Sequence, residues 1–224
     1  FNGPVGMCYD DSLNLNIANF GDRKIFKMTP AGQVTFFTQP PLGQFIGFLT
    51  YTKGSLYATA MEAHKIYKID LEGNYAVWLG STIGAIDGDA SVAKFNRPNG
   101  IRPSSTGDTL YVSDFGTKRV RMITNLGGTS ATKELMPEWK VSVFPNPLTS
   151  TSQIAFELPD AAMMSISLYD EAGRLVQSVL ENENLAQGRH QYSLARNGLN
   201  AGIYFLHIQS SDGHLLAKKV MVQE

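Results

Sequence analysis

The chain has 224 residues, a formal net charge of −1 at pH 7 and 43% hydrophobic residues. This composition suffices for one large or two small globular cores, and the near-zero charge argues against nucleic acid or an anionic membrane surface as the main partner. No apolar run approaches the roughly 20 residues of a transmembrane segment. Cys8 is the single cysteine, which excludes an intrachain disulfide.

A repeat runs through the first half of the chain. Residues 15–32, 56–73 and 110–127 align without gaps, at offsets of 41 and then 54 residues. Each window begins with Leu, carries Ile or Val at the same internal position and ends with Gly. The second interval holds 13 extra residues around 80–95. β-Branched and aromatic residues separated by glycine-rich corners predict three or four short strands per repeat, which is typical of β-propeller blades.

The residues "GPVGMCYDDSLNLNIANFGDRKIFKMTPAGQV" (3–34), "DGDASVAKFNRPNGI" (87–101) and "RPNGIRPSSTGDTLYVSDFGTKRVRMI" (97–123) resemble the NHL-repeat and gluconolactonase-like β-propellers. The resemblance covers about residues 1–127 and implies blades around 1–40, 41–82 and 83–130 in a domain spanning 1–137. Proteins of this superfamily include binding modules, lactonases and lyases, so the fold does not select an activity.

The first residues read as the middle of a repeat. "FNGPVG" (1–6) matches "FNRPNG" (95–100), which in the third repeat is preceded by "DGDASVAK". Propellers usually close with four to eight blades, and about three are visible here. Residue 1 is Phe, and no basic or apolar leader region follows it. We therefore expect this sequence to be a fragment of a longer protein, with further blades and a signal peptide upstream.

After "PNP" (145–147) the repeat stops and seven short strand patterns follow: 141–144, 153–158, 164–170, 174–180, 189–194, 202–209 and 215–222. Turn residues separate them, and "SISL" alternates polar and apolar side chains. Seven such strands predict an immunoglobulin-like β-sandwich. Within "GLNAGIYF", Tyr204 is expected to bury its ring and hydrogen-bond the backbone near Leu199, as in a tyrosine corner. The predicted fold class is all-β: a partial propeller followed by this sandwich.

Five elements of residues 141–224, in order and spacing, resemble the C-terminal sorting domain of the type IX secretion system. They are "VFPNP", "ISLYDEAGRLV", "LAQGRHQYSL", "GLNAGIYFLHI" and "AKKVMVQE". The sorting-signal residues carried over from this resemblance are Pro145, Asn146, Pro147, Gly173, Gly202, Tyr204, Lys218 and Lys219.

The resemblance implies a sorting domain over 138–224 and export through the periplasm across the outer membrane of a Gram-negative bacterium. The partners it implies are the type IX translocon and a sortase-like peptidase. The mature protein is then either released or attached to the cell surface, and cleavage is expected in "SATKELMPEWK" (130–140). Patterning alone supports only an appended small sandwich, and a carbohydrate-binding or fibronectin-like module is the alternative.

Candidate metal ligands lie in the third repeat. Asn99 in "RPNGI" matches a metal-ligating Asn of the gluconolactonase-like propellers, but Val5 stands at the one other comparable position and cannot coordinate a metal. Asp87 and Asp89 in "IDGDAS" have the alternate spacing of Ca²⁺ ligands. A surface turn is the commoner role of an Asp pair such as Asp87 and Asp89, and a turn is also the alternative for Asn99. No cofactor is otherwise evident, and no catalytic residue is assigned.

Phe20 and Phe115 occupy equivalent corners of the first and third repeats and form a candidate ligand face, with core packing between blades as the alternative. The sequence thus predicts a secreted or cell-surface propeller that serves as a binding or scaffold module for a protein or glycan. A metal-dependent lactonase- or lyase-like enzyme is the first alternative, and a structural adhesin is the second.

Overall fold

The computed structural model describes residues 1–40, 45–124, 126, 141–211 and 215–223. The chain divides into two compact units, Phe1–Leu135 and Met136–Glu224. Strands account for 59% of the chain and helix for 1%, which confirms the all-β prediction. Within the described ranges, no helix is long and apolar enough to cross a membrane.

The described part of the first unit contains three antiparallel sheets. Their strands are β1 (Pro4–Tyr9), β2 (Leu15–Asn19), β3 (Ile25–Met28) and β4 (Val34–Thr38); β5 (Ile46–Thr52), β6 (Ser55–Ala60), β7 (Lys65–Ile69) and β8 (Tyr75–Leu79); and β9 (Pro98–Pro103), β10 (Leu110–Asp114) and β11 (Arg119–Ile123). A single 3₁₀ turn, Phe115–Thr117, joins β10 to β11.

Each sheet is a meander in which neighbours in sequence are neighbours in space, with orders β1-β2-β3-β4, β5-β6-β7-β8 and β9-β10-β11. The aligned leucines of the repeat fall in β2, β6 and β10 at the register positions Leu15↔Met28, Leu56↔Ile69 and Leu110↔Ile123. Meandering sheets of about four strands are the unit from which β-propellers are built. The repeat in the sequence is therefore a repeat of hairpin geometry.

The first strands of neighbouring sheets approach one another very closely. A Cβ added at Gly6 of β1 would lie 2.7 Å from the backbone nitrogen of Leu49 in β5, so only glycine fits there. Between the second and third sheets the aromatic rings of Tyr57 and Phe95 are buried. They belong to one apolar cluster with Leu110 and Val112 of β10. Residues 93 and 95 of that cluster come from the long interval between repeats, which is therefore part of the core.

The second unit has seven strands in its described residues. They are β12 (Ser142–Phe144), β13 (Thr151–Leu158), β14 (Ala162–Asp170), β15 (Leu175–Leu185), β16 (Gly188–Ala195), β17 (Gly202–Ser210) and β18 (Leu215–Val222). All seven strand patterns read from the sequence are confirmed, and β15 extends five residues beyond its predicted end.

These strands form two sheets, β12-β13-β16 and β15-β14-β17-β18. Strict alternation in β13 buries Ile154, Phe156 and Leu158 on one face and leaves Gln153 and Glu157 outside. The buried side chains of both sheets join in one core, so the second unit is a β-sandwich. Its assignment as immunoglobulin-like stays a prediction.

Candidate functional site

The first unit presents aromatic side chains at one end of its sheets, where β1, β5 and β9 begin and β2, β6 and β10 end. We call this end the corner face and define it by Phe20, Phe45, Glu62, Arg97 and Phe115. Phe20 and Phe115 follow β2 and β10 directly, so both predicted residues do lie at the same end of their sheets. These two residues are 42% and 62% exposed, so their rings are accessible to a ligand.

Backbone bonds hold the two phenylalanines in equivalent places. The amide of Phe20 donates to the carbonyl of Gly3 at 2.7 Å, and the amide of Phe115 donates to the carbonyl of Arg97 at 3.3 Å. The glycine after each phenylalanine donates to the carbonyl of Asn2 or Asn96. The matching segments 1–6 and 95–100 thus occupy equivalent positions, as their sequences predict.

Each phenylalanine has a neighbour that the sequence reasoning missed. The ring of Phe20 stacks on Phe45 from the second sheet, with ring centroids 4.5 Å apart and planes 10° from parallel. The guanidinium of Arg97 lies 5.8 Å from the ring centroid of Phe115. Arg97 also contacts Glu62 across to the second sheet, with Nη2 2.7 Å from Oε1. The corner face therefore combines exposed rings with a half-exposed ion pair.

The corner of the third sheet is fixed by Asp114, which is fully buried. Its Oδ1 accepts the amide of Asn96 at 2.7 Å, and its Oδ2 accepts the hydroxyl of Thr117 at 2.9 Å. These bonds close the turn that carries Phe115. The residue at the same place in the first repeat is Asn19, also fully buried. The signal that could have drawn attention to Arg97 is its position next to "PNG" in one of the two matched segments.

Asn99 lies in β9, on the first strand of its sheet. Its carbonyl accepts the hydroxyl of Thr59 at 2.6 Å, and its side-chain oxygen would lie 3.4 Å from a Cβ added at Gly47. Asn99 directly precedes Gly100, and the glycines at the corresponding positions of β1 and β5 are Gly6 and Gly47. The residues before these two glycines are Val5 and Ile46, whose side chains have no ligating atom. Across the described residues, no group of three or more His, Cys, Asp or Glu side chains could hold a metal ion. The metal at Asn99 therefore stays a prediction.

The two predicted calcium ligands, Asp87 and Asp89, contact different side chains. The Oδ1 atom of Asp87 lies 2.5 Å from Nη2 of Arg121. Asp89 accepts the amide and the hydroxyl of Ser91 through Oδ1, at 2.9 and 2.6 Å. The second pattern is a side-chain-capped turn of the kind weighed from the sequence. The Ca²⁺ site at Asp87 and Asp89 stays a prediction.

The sorting-signal residues of the second unit occupy three places. Pro145, Asn146 and Pro147 form the connection from β12 to β13, and both X-Pro bonds there are cis. Gly173 has a φ of 74° in the turn between β14 and β15, where Oδ1 of Asp170 accepts the amide of Arg174 at 2.9 Å. The remaining residues lie in the last two strands: Gly202 and Tyr204 in β17, and Lys218 and Lys219 in β18.

Tyr204 has the geometry expected of a tyrosine corner. Its ring is buried, and its hydroxyl donates to the carbonyl of Asn200 at 2.9 Å, one residue beyond Leu199. Leu199 packs against the core of the same unit. The expected cleavage segment, 130–140, lies outside the described residues.

Comparison with protein families identifies the second unit. Residues 142–223 match the family described as "Secretion system C-terminal sorting domain". The sorting-domain resemblance read from the sequence is therefore confirmed. No match is found among curated proteins.

Solved structures similar to the whole chain are gluconolactonase-like and lyase-like propellers. A streptogramin B lyase shares 17% identity, with 97% of this chain and 65% of that chain covered and a TM-score of 0.44. A protein of unknown function from Bacteroides thetaiotaomicron VPI-5482 shares 15%, with 97% and 47% covered and a TM-score of 0.44. A gluconolactonase from Xanthomonas campestris shares 15%, with 96% and 72% covered and a TM-score of 0.42. The chain spans less than two thirds of the lyase and less than half of the Bacteroides protein, and these likenesses carry no inference about activity.

Proposed function

We propose that the second unit is an export signal for the type IX secretion system and that the first unit is its cargo, a binding or scaffold module displayed on or released from the cell. The observation that carries the proposal is the sorting-domain match over residues 142–223. The proposed partners are the type IX translocon, which reads the folded sandwich, and a sortase-like peptidase, which cleaves before it.

The sandwich has the physical properties that a separable signal needs. Its core draws on its own seven strands and includes the fully buried Ile154, Leu168 and Leu206. A module with its own core can fold on different passengers and present the same surface each time. This supports recognition of a folded domain rather than of a linear peptide.

The export proposal is tested by fusing a signal peptide and a fluorescent reporter to residues 138–224. The fusion is produced in a bacterium with a working type IX system and in a translocon-deficient strain of the same bacterium. We expect reporter outside the first strain and periplasmic reporter in the second. Periplasmic reporter in both strains would contradict the proposal, and the sandwich would then be considered as a binding module.

For the cargo, we propose that ligand binds at the corner face. Exposed aromatic rings beside an arginine are the residue types enriched where proteins bind partners, because rings supply contact area and arginine supplies directed hydrogen bonds. The stacked Phe20–Phe45 pair offers a flat apolar surface, and Arg97 with Glu62 offers donors and acceptors next to Phe115. This combination suits a glycan or a protein loop.

Screening the full chain on immobilised glycans and on surface proteins of the same bacterium would test the corner face. We expect Phe20→Ala and Phe115→Ala each to weaken the binding found by about tenfold or more, the usual loss at an aromatic anchor. Leu71→Ala is the matched control, because Leu71 is 43% exposed in the turn at the opposite end of the sheets. If all three variants bound as well as wild type, the corner face would be excluded as the ligand site.

The enzyme alternative depends on the metal predicted at Asn99. Since Val5 and Ile46 occupy the corresponding places, we expect EDTA to leave the melting temperature of the full chain unchanged. A fall in the melting temperature that Ca²⁺ reverses, and that is absent in Asn99→Ala, would instead support a metal-dependent lactonase- or lyase-like site. Lactone hydrolysis by the metal-loaded chain would then be the assay.

A further inference from the structure

We propose that Asn146 is a positioning residue of the export signal: it holds the end of β18 in the sandwich, so that the translocon meets this strand with a defined face outward. This inference rests on the proposed export function. It concerns the connection between β12 and β13, residues 145–148, which we call the strap.

The side chain of Asn146 pairs with β18 as a peptide group would. Its Nδ2 donates to the carbonyl of Lys219 at 3.0 Å, and its Oδ1 accepts the amide of Met221 at 2.9 Å. A carboxamide carries the same donor and acceptor as a backbone peptide, so one side chain replaces one rung of a β-ladder. Few side chains can do this: alanine offers neither group, and aspartate offers acceptors alone.

The strap continues this pairing with its own backbone. The amide of Leu148 donates to the carbonyl of Met221 at 2.7 Å, and the amide of Gln223 donates to the carbonyl of Leu148 at 3.1 Å. Leu148 is fully buried in the sandwich core, which anchors the strap. The hydroxyl of Ser152 donates to the carbonyl of Pro145 and holds the other end of the strap.

The strap and β17 contact opposite edges of the end of β18. On one edge, the backbone of residues 219, 221 and 223 forms hydrogen bonds with the strap. On the other edge, β17 pairs with β18 in the register Gly202↔Val222 and Tyr204↔Val220. Residues 219–223 are therefore held from both sides.

Register decides which side chains of β18 a partner can reach. Val220 and Val222 are buried in the core, whereas Met221 between them is 44% exposed. Because side chains alternate, a slip of one residue would turn the buried set outward and the exposed set inward. The buried valines therefore set the register, and Asn146 holds the end of the strand in it through bonds to the backbone of Lys219 and Met221.

The test uses the full chain behind a signal peptide, comparing wild type with Asn146→Ala and Asn146→Asp. Hydrogen exchange of the purified chains reports strap contact, and the extracellular fraction in the type IX host reports export. Ile154→Val is the control for general stability, because it trims the core of the same sandwich without touching the strap. Melting temperatures are measured for all four proteins.

We expect exchange at Met221 to be about tenfold faster or more in Asn146→Ala, from the loss of two hydrogen bonds, and its extracellular fraction to fall severalfold. Asn146→Asp, which keeps an acceptor for the Met221 amide, should lie between Ala and wild type. Ile154→Val should be exported normally even if its melting temperature falls as far as that of Asn146→Ala.

Four results would overturn the inference. Unchanged exchange at 219–223 in Asn146→Ala would show that the side chain does not hold the strand. Faster exchange with normal export would show that a firmly held end of β18 does not matter to the translocon, while leaving the export proposal intact. Equal export loss in Ile154→Val would reduce Asn146 to a stability role. Translocon-independent export of the wild type would overturn the proposed function, and this inference with it.

Discussion

Arg121 ties the long interval between the second and third sheets to the third sheet. Its side chain is 9% exposed, and Nη1 lies 3.4 Å from Oδ2 of the fully buried Asp114. Nη1 also donates to the carbonyl of Lys94 at 3.1 Å, and Nη2 donates to the carbonyl of Ile86 at 2.8 Å. The same Nη2 contacts Asp87 at the surface. One guanidinium therefore serves two carboxylates and two carbonyls.

Replacing Arg121 by Met keeps much of the side-chain volume and removes every donor. We expect the first unit to lose about 3–5 kcal/mol of unfolding free energy, the range for breaking a buried ion pair from one side. The reason is that Asp114 would stay buried without its cation, and two carbonyls would lose their donors. Arg119→Met is the matched control, because Arg119 is exposed on the same strand. It should change stability by about 0.5 kcal/mol or less.

Urea unfolding of the full chain gives the free energy, and hydrogen exchange locates the change. A loss of 3 kcal/mol corresponds to more than a hundredfold change in an equilibrium constant, since about 1.4 kcal/mol is tenfold. Exchange within residues 86–95 should accelerate to that degree in Arg121→Met and not in Arg119→Met. A loss under about 1 kcal/mol, or equal exchange in both variants, would refute the role given to Arg121.

Three further predictions concern single side chains. Burial, with a smaller contribution from a neighbouring carboxylate, raises the pKa of the Cys8 thiol to about 12. Iodoacetamide should therefore leave Cys8 unlabelled in the native chain at neutral pH and label it in guanidinium. Rapid labelling of the native chain would contradict this. Tyr204→Phe removes the hydroxyl that donates to Asn200, so the second unit should lose about 1 kcal/mol in urea unfolding; no loss would mean that this bond is not stabilising. Burial alone would raise the pKa of Asp170, but hydrogen bonds from Arg174 and the turn backbone hold it below its usual value. The stability that Asp170 adds is present above the usual carboxyl range and is lost as pH falls through the lowered pKa, so the urea midpoints of wild type and Asp170→Asn should converge on acidification; a constant difference would argue against it.

Much of the local structure could be predicted from the sequence. The seven strands of the second unit follow from alternation and turn residues, and β13 shows why: every second residue must face the core, so the pattern fixes both the strand and its buried face. The repeat likewise predicted equivalent corners for Phe20 and Phe115. The second unit's family could also be recognised, because its motifs have fixed spacing along the chain.

The candidate sites were predicted less completely. Phe20 and Phe115 were found, but Phe45 and Arg97 were not, since nothing in the local pattern says which residue of the next sheet will meet a ring. Asp87 was considered as a metal ligand, and the structure pairs it with Arg121, 34 positions later in the chain. A carboxylate looks the same in sequence whether its partner is a metal or a guanidinium.

By itself, the sequence determined the all-β class, the repeating hairpins, the change of domain near the PNP motif and the sorting-domain family. These depend on side-chain period, turn chemistry and motif spacing, which act over short stretches of chain. Only the tertiary structure decided that Asn146 bonds to residues 73 and 75 positions away and that Arg121 closes the interval before β9. Such contacts depend on which strand edges and sheet faces meet, and that is set by the packing of the whole unit rather than by any segment of it.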